Sequence, residues 1–264
     1  MFSYSPLLYF APELRLQIYD AVLVLPVDDF DVRNRPAQAT PGAPLPVPWL
    51  GLMLVCKTIA HELQHHVQTS TNTMYELKVD YSRRLATTWR QIPCPPSRAR
   101  TLQVELCLGW NTRFWGDGGP MPILSALYQV LNCFIHNGPF LDRRSPLDKH
   151  IHLNALIVEL RVDEPDAEAR QAQGREPYDQ EVVDRRKKVL RRGLEQYISR
   201  VVGRGVLSGA VDRIVCRSAD DDGDVANWDV HRTPIGDMTE WNLYHFNWGV
   251  PGSSSLEASG VLPA

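Results

Sequence analysis

Between Thr101 and Cys216 the spacing of apolar residues switches repeatedly between two periods, and this switching restricts the fold more than any other property of the chain. Thr101 to Leu108 alternates. Leu102, Val104, Leu106 and Leu108 fall on one side, and Gln103, Glu105 and Cys107 on the other, the pattern of a strand with one buried face. From Pro122 to His136 the period becomes helical, with Ile123, Leu127, Val130, Leu131, Phe134 and Ile135 on the core side. Ile151 to Val162 alternates again. Gln180 to Val202 returns to helical spacing through Val183, Leu190, Leu194, Tyr197, Ile198, Val201 and Val202, and Val211 to Cys216 is a short strand. A strand–helix–strand–helix–strand series is built from crossover connections and calls for an at least partly parallel sheet.

Two helices precede this series. Pro12 to Leu25 carries Leu14, Ile18, Ala21 and Val22 or Leu25 at helical spacing, with Pro12 in the first turn and Glu13 near the positive end of the dipole. Six prolines between Pro26 and Pro48 mark a loop. The stretch from Trp49 to Val67 reads as one helix with a stripe of Leu52, Val55, Cys56, Ile59, Leu63 and Val67. A turn at 69–72 leads to a strand over 73–79, and residues 82–99 resist assignment. The expected fold class is therefore α+β (mixed α/β). A helical region at 1–70 packs on a mixed sheet domain at 71–250, which two further helices cover, and a Gly/Ser/Pro tail at 251–264 frays.

Composition excludes several classes. The formal net charge is -3 and the isoelectric point is about 6.2, so nothing global draws the chain to nucleic acid or anionic lipid. Five scattered cysteines form no C-x-x-C pair, which suits a reducing compartment in the cytoplasm or nucleus. The sequence has no membrane-spanning apolar run and no secretory leader pattern.

Residues 61–65 read His-Glu-Leu-Gln-His. On a helix, His61 and His65 lie one turn apart and could bind zinc, with Glu62 polarising an attacking water. The stretch from Thr58 to Val67 resembles the zinc-binding helix of thermolysin-like metallopeptidases. Three features oppose a zinc site. Gln68 and Thr71 stand where a short extended motif places glycine and a third histidine, and Glu76 and Glu105 fall in strands. At about 100° per residue, His61 points opposite the apolar stripe and His65 lies within about 40° of His61, so both point away from the buried side. The sixty residues before the motif offer little chain to wall a cleft. The expectation is two solvent-facing histidines and no cofactor, with a zinc peptidase using His61, Glu62 and His65 as the alternative.

A second pattern spans residues 11–79. Ala11-Pro-Glu-Leu-Arg-Leu-Gln-Ile-Tyr19 is followed by Leu54-Val-Cys-Lys-Thr-Ile59 with Glu62, and then by Thr71-Asn-Thr-Met-Tyr-Glu-Leu77. In order and spacing these segments resemble the N-terminal region of fungal F-box-like proteins. The resemblance implies a protein–protein interaction module that contacts a Skp1-type adaptor of a ubiquitin ligase and recognises a protein target. On that basis Pro12, Leu14, Ile18 and Tyr19 would face the adaptor. The same residues also read as half of a helical pair, with Leu14, Ile18 and Val22 packing on Cys56, Ile59 and Leu63.

The remaining motifs have plainer readings. Arg185, Arg186, Lys187, Lys188, Arg191 and Arg192 form a basic cluster able to act as an import signal or an anionic-partner site. Asp184 and Glu195 dilute it, no aromatic residues interleave it, and a solvated helix face is the simpler expectation. Asp220 to Asp224 resembles half a calcium loop but lacks the closing glutamate, and reads as a solvated turn. No phosphate loop or G-x-S-x-G motif is present. The tryptophans near the C-terminus read first as core and sheet cover.

Overall fold

The computed structural model describes residues 6–25, 47–81, 86–110, 115–116, 119–120, 122–140, 147, 149–163, 178–203, 205, 207–218 and 221–230. It is a mixed α/β fold, with N-terminal helices packed against a multi-stranded sheet and further helices following. The aromatic segment after Val230 and the tail at 251–264 lie outside the described residues.

Helix α1 spans Pro12–Leu23, with Pro12 in its first turn where the missing N–H costs no bond. The single helix expected at 49–67 is two. Helix α2 is Pro48–Met53 and α3 is Lys57–Thr69, separated by an extended Cys56 at φ −161°, ψ 162°. Trp49 Nε1 donates to the carbonyl of Ile92 at 2.7 Å, which fixes α2 to the sheet domain independently of α3. Apolar residues continue at helical spacing across the break, so periodicity alone could not reveal it. Along α3, Ile59, Leu63 and Val67 recur at four-residue spacing and are buried. Its C-terminal carbonyls are capped from a distance, since the Arg98 guanidinium donates to the carbonyls of Val67 and Ser70.

The main sheet contains β1 (Met74–Tyr81), β2 (Ala86–Gln91), β3 (Thr101–Leu108), β6 (Ala155–Val162), β7 (Arg213–Ser218) and β8 (Asp221–Asp229). A small separate hairpin supplies β4 (Trp115–Gly116) and β5 (Gly119–Pro120). The order is β2-β1-β3-β6-β7-β8. The β1–β3, β3–β6 and β6–β7 pairs are parallel, while β2 and β8 run antiparallel at the edges. Each edge pair carries a register shift, at Glu76/Leu77 and at Arg217/Ser218. Helices α4 (Pro122–Asn137) and α5 (Gln180–Gly203) make the β3–β6 and β6–β7 crossovers.

Register explains the core. Tyr75, Leu102, Leu156 and Ile214 share one row, and Leu77, Val104, Val158 and Cys216 the next but one. All eight are buried in one cluster with residues of α1, α3, α4 and α5. A void of about 20 Å³ remains between α4, α5, β6 and β7, lined by apolar groups including Leu131, Val158, Ile198 and Ile214.

The opposite face of the sheet is polar, but β3 is not buried on one face only. Glu105 and Cys107 are buried as well. Glu105 accepts from Arg90 at 2.5 Å, lies 3.4 Å from Arg161 Nε, and takes the Cys107 thiol at 3.5 Å. Its row neighbour Glu159 accepts from Gln103 and Arg217, each at 2.9 Å. Adjacent carboxylates in one row repel unless cations intervene, and the three arginines supply them. The stretch 220–224, read as a turn, instead runs into β8 from Asp221.

Candidate functional site

The most elaborate side-chain cluster joining the first and third helices is built by α1 and α3. Glu62 and His66 stand one turn apart on α3, while Arg15, Tyr19 and Asp20 occupy the facing side of α1. The Arg15 fork grips both Glu62 oxygens, Nε to Oε2 at 2.9 Å and an NH2 donor to Oε1 at 2.7 Å. A third Arg15 donor reaches the carbonyl of Phe10 at 2.7 Å. The Tyr19 hydroxyl donates to Glu62 Oε2 at 3.0 Å. His66 Nε2 donates to Asp20 Oδ1 at 2.7 Å, and its ring lies 6.1 Å from that of Tyr19. The Arg15 and Glu62 side chains retain 12% and 29% exposure, so their bidentate pair is shielded from bulk water without being dry.

The electrostatics follow from this geometry. The Arg15 hydrogen bonds hold Glu62 below its usual range, against the opposing effect of burial and with help from Tyr19. Burial and then Glu62 push the Tyr19 hydroxyl up to about 12. A carboxylate with a depressed folded value contributes its stability above its unfolded value of about 4.3, and loses it as pH falls through the folded value. A phenol with a raised folded value contributes below its unfolded value of about 10, and loses it as pH climbs toward about 12. The α1–α3 junction is therefore strongest between about pH 5 and 10. Thermal melts across pH should show Glu62→Gln flattening the acid limb and Tyr19→Phe the alkaline limb. Melting curves whose pH dependence matches wild type in both variants would contradict this assignment.

This arrangement corrects one expectation and bears on the zinc alternative. Tyr19, expected to face an adaptor, is fully buried against α3 because its hydroxyl is needed by Glu62. Glu62 does not stand ready for a metal-bound water, because Arg15 and Tyr19 occupy both its oxygens. His61 and His65 point to solvent on the outer side of α3. Among the described residues no three His, Cys, Asp or Glu side chains could together hold a metal ion. Elemental analysis of purified protein should give well under one zinc per chain, and a stoichiometric zinc lost on His61→Ala would reverse this assignment.

The outer side of α1 is different. Leu14 is 47% exposed, Ile18 is half-buried, and Pro12, Ala21 and Leu25 are exposed. Leu14, Ile18 and Ala21 recur at spacings of four and three, which places them on one face of α1. The buried residues of α1 are Tyr19 and Leu23, on another face. Large apolar groups also stand exposed beside the helix pair, with Tyr9 at 82% and Leu54 at 80%. Such exposure is unusual for several neighbouring elements at once.

No family model, curated protein or solved structure matches the chain.

The other expected sites disperse. In the basic cluster, Arg185 pairs with Glu181 at 2.6 Å and Arg191 with Glu195 at 2.8 Å. Arg186 donates to the Trp110 carbonyl at 3.1 Å and Lys187 is half-buried. Lys188 and Arg192 face outward with Arg185, which leaves a narrow basic line on a solvated helix. Cys94, Cys107 and Cys216 are poor nucleophiles, since burial raises Cys94 to about 11 and Cys107 and Cys216 to about 12. No helix among the described residues is long and apolar enough to cross a membrane.

Sequence reasoning missed Arg15, Asp20 and His66 as a connected set. The available signal was spacing: Arg15 and Tyr19 on one helix, Glu62 and His66 on the other, each four apart. What it lacked was the pairing of helices more than forty positions apart in the chain.

Proposed function

We propose that the chain is a protein–protein interaction module of F-box-like type, with the outer face of α1 engaging a Skp1-type adaptor of a ubiquitin ligase and the sheet domain recognising a target in the cytoplasm or nucleus. The observation that carries this reading is the division of α1 into two faces. Arg15, Tyr19 and Leu23 fasten it to the protein, while Pro12, Leu14 and Ile18 are left wholly or partly in solvent. A helix that leaves two apolar side chains one turn apart, Leu14 and Ile18, at least partly open to solvent suits a helix-in-groove partner. The resemblance of residues 11–79 to fungal F-box-like proteins supplies the identity of that partner.

The test is a pull-down with a purified Skp1-type adaptor. Wild type should bind at micromolar concentration. A Leu14→Ala, Ile18→Ala double variant with an unchanged melting temperature should bind at least about tenfold more weakly, as truncation of two apolar anchors implies. Failure of wild type to bind would remove the ubiquitin-ligase reading.

A further inference from the structure

We infer that α1 opens and closes against α3 as a unit, with Glu62 as the catch that holds it closed. The inference concerns the free chain and does not depend on which partner binds.

Burial along the helices is uneven. Of the twelve residues of α1, only Tyr19 and Leu23 are buried, whereas α3 buries Ile59, Leu63 and Val67 and α5 buries seven residues. Local opening free energy follows the apolar surface an element would expose, so α1 is weakly held by packing. Polar contacts make up the difference, and they converge. Arg15 and Tyr19 both end on Glu62, and Asp20 ends on the residue one turn further along α3, His66. Besides the burial of Tyr19 and Leu23 in the core cluster, the side-chain hydrogen bond from the sheet to α1 among the described residues is a long one, from Gln91 Nε2 to the Leu23 carbonyl at 3.5 Å. One carboxylate therefore gathers three of the four side-chain hydrogen bonds that cross between the two helices.

The consequence is a conformational device. With Glu62 engaged, Tyr19 and Leu23 stay covered and α1 presents only its outer strip. With the carboxylate lost, the bidentate fork and the tyrosine hydroxyl lose their shared acceptor together, and α1 can lift while the parallel core stays intact. The Arg15 donor to Phe10 lies within the N-terminal segment and does not resist this motion.

Hydrogen–deuterium exchange on the full chain tests the device. Peptides covering 12–25 should exchange at least about tenfold faster in Glu62→Ala than in wild type, with peptides from β1, β3 and β6 unchanged. Glu62→Gln, which keeps an acceptor oxygen, should fall between the two. His65→Ala, on the outer side of the same helix, should leave α1 protected. Three outcomes would overturn the proposal. These are unchanged α1 exchange in Glu62→Ala, exchange that rises in α1 and the sheet in parallel, or an equal rise in His65→Ala.

Discussion

Trp89→Ala should lower the unfolding free energy by about 3–5 kcal/mol, the range for truncating a buried aromatic side chain. Trp89 is fully buried on β2 and lies in an aromatic triangle. Its ring centroid is 5.8 Å from Tyr75, edge to face, and 5.4 Å from Phe134 of α4, while Tyr75 and Phe134 are 5.5 Å apart. Its Nε1 donates to the Pro139 carbonyl at 2.6 Å, just beyond α4. The residue thus holds an edge strand to the end of the first crossover helix. Trp89→Phe keeps most of the apolar surface and leaves the Pro139 carbonyl without this donor, so its cost should be about 1–3 kcal/mol. Urea unfolding of the three proteins measures both. A Trp89→Ala midpoint within error of wild type would show that β2 is not part of the cooperative core.

The second large effect concerns Glu105. Its carboxylate is buried, and the Arg90 and Arg161 side chains that neutralise it are roughly half exposed. Removing both cations by Arg90→Ala and Arg161→Ala strands a buried charge. The cost of breaking a buried pair is about 3–5 kcal/mol, and the exposure of the arginines moves the expectation here to about 2–3 kcal/mol. Adding Glu105→Gln to the double variant removes the stranded charge, so the triple variant should be more stable than the double. That order of stabilities, read from chemical denaturation, separates charge compensation from loss of arginine packing. A triple variant less stable than the double would assign the arginines a packing role.

The parallel core was legible because its elements carry strong, unmixed periods. Thr101 to Leu108 alternates without interruption and forms β3 with those limits. The two crossover helices fall within one residue of their expected ends. Strands at the edges were not legible, for a common reason. Thr87 and Trp89 are the only buried side chains along β2, too few to establish a period. The first residues of β8 are Asp-Asp-Gly-Asp, which read as a turn because an edge strand needs no apolar second face. The break between α2 and α3 was hidden because Leu52, Cys56 and Ile59 keep helical spacing across it.

The candidate site was partly visible. The exposed half of α1 could be read from Leu14 and Ile18, although spacing could not say that Tyr19 turns inward. Glu62 drew attention for a different reason, its place between two histidines. Its actual partner, Arg15, lies 47 positions away in the chain, and no local pattern connects them.

The edges of the sheet also bear on how copies of this chain meet. A sheet that ends in flat, regular strands offers unpaired backbone groups to any identical neighbour. Here each edge pair contains a register shift, and the sequence of β8 carries Asp221, Asp222, Asp224 and Asp229. A shift of register bends and twists the strand that carries it. Two acidic strands brought side by side would repel. The register shifts at both edges and the acidic sequence of β8 thus act against edge-to-edge polymerisation. They leave the parallel interior, whose backbone groups are already paired on both sides, bounded by edges that are poor templates for a second copy.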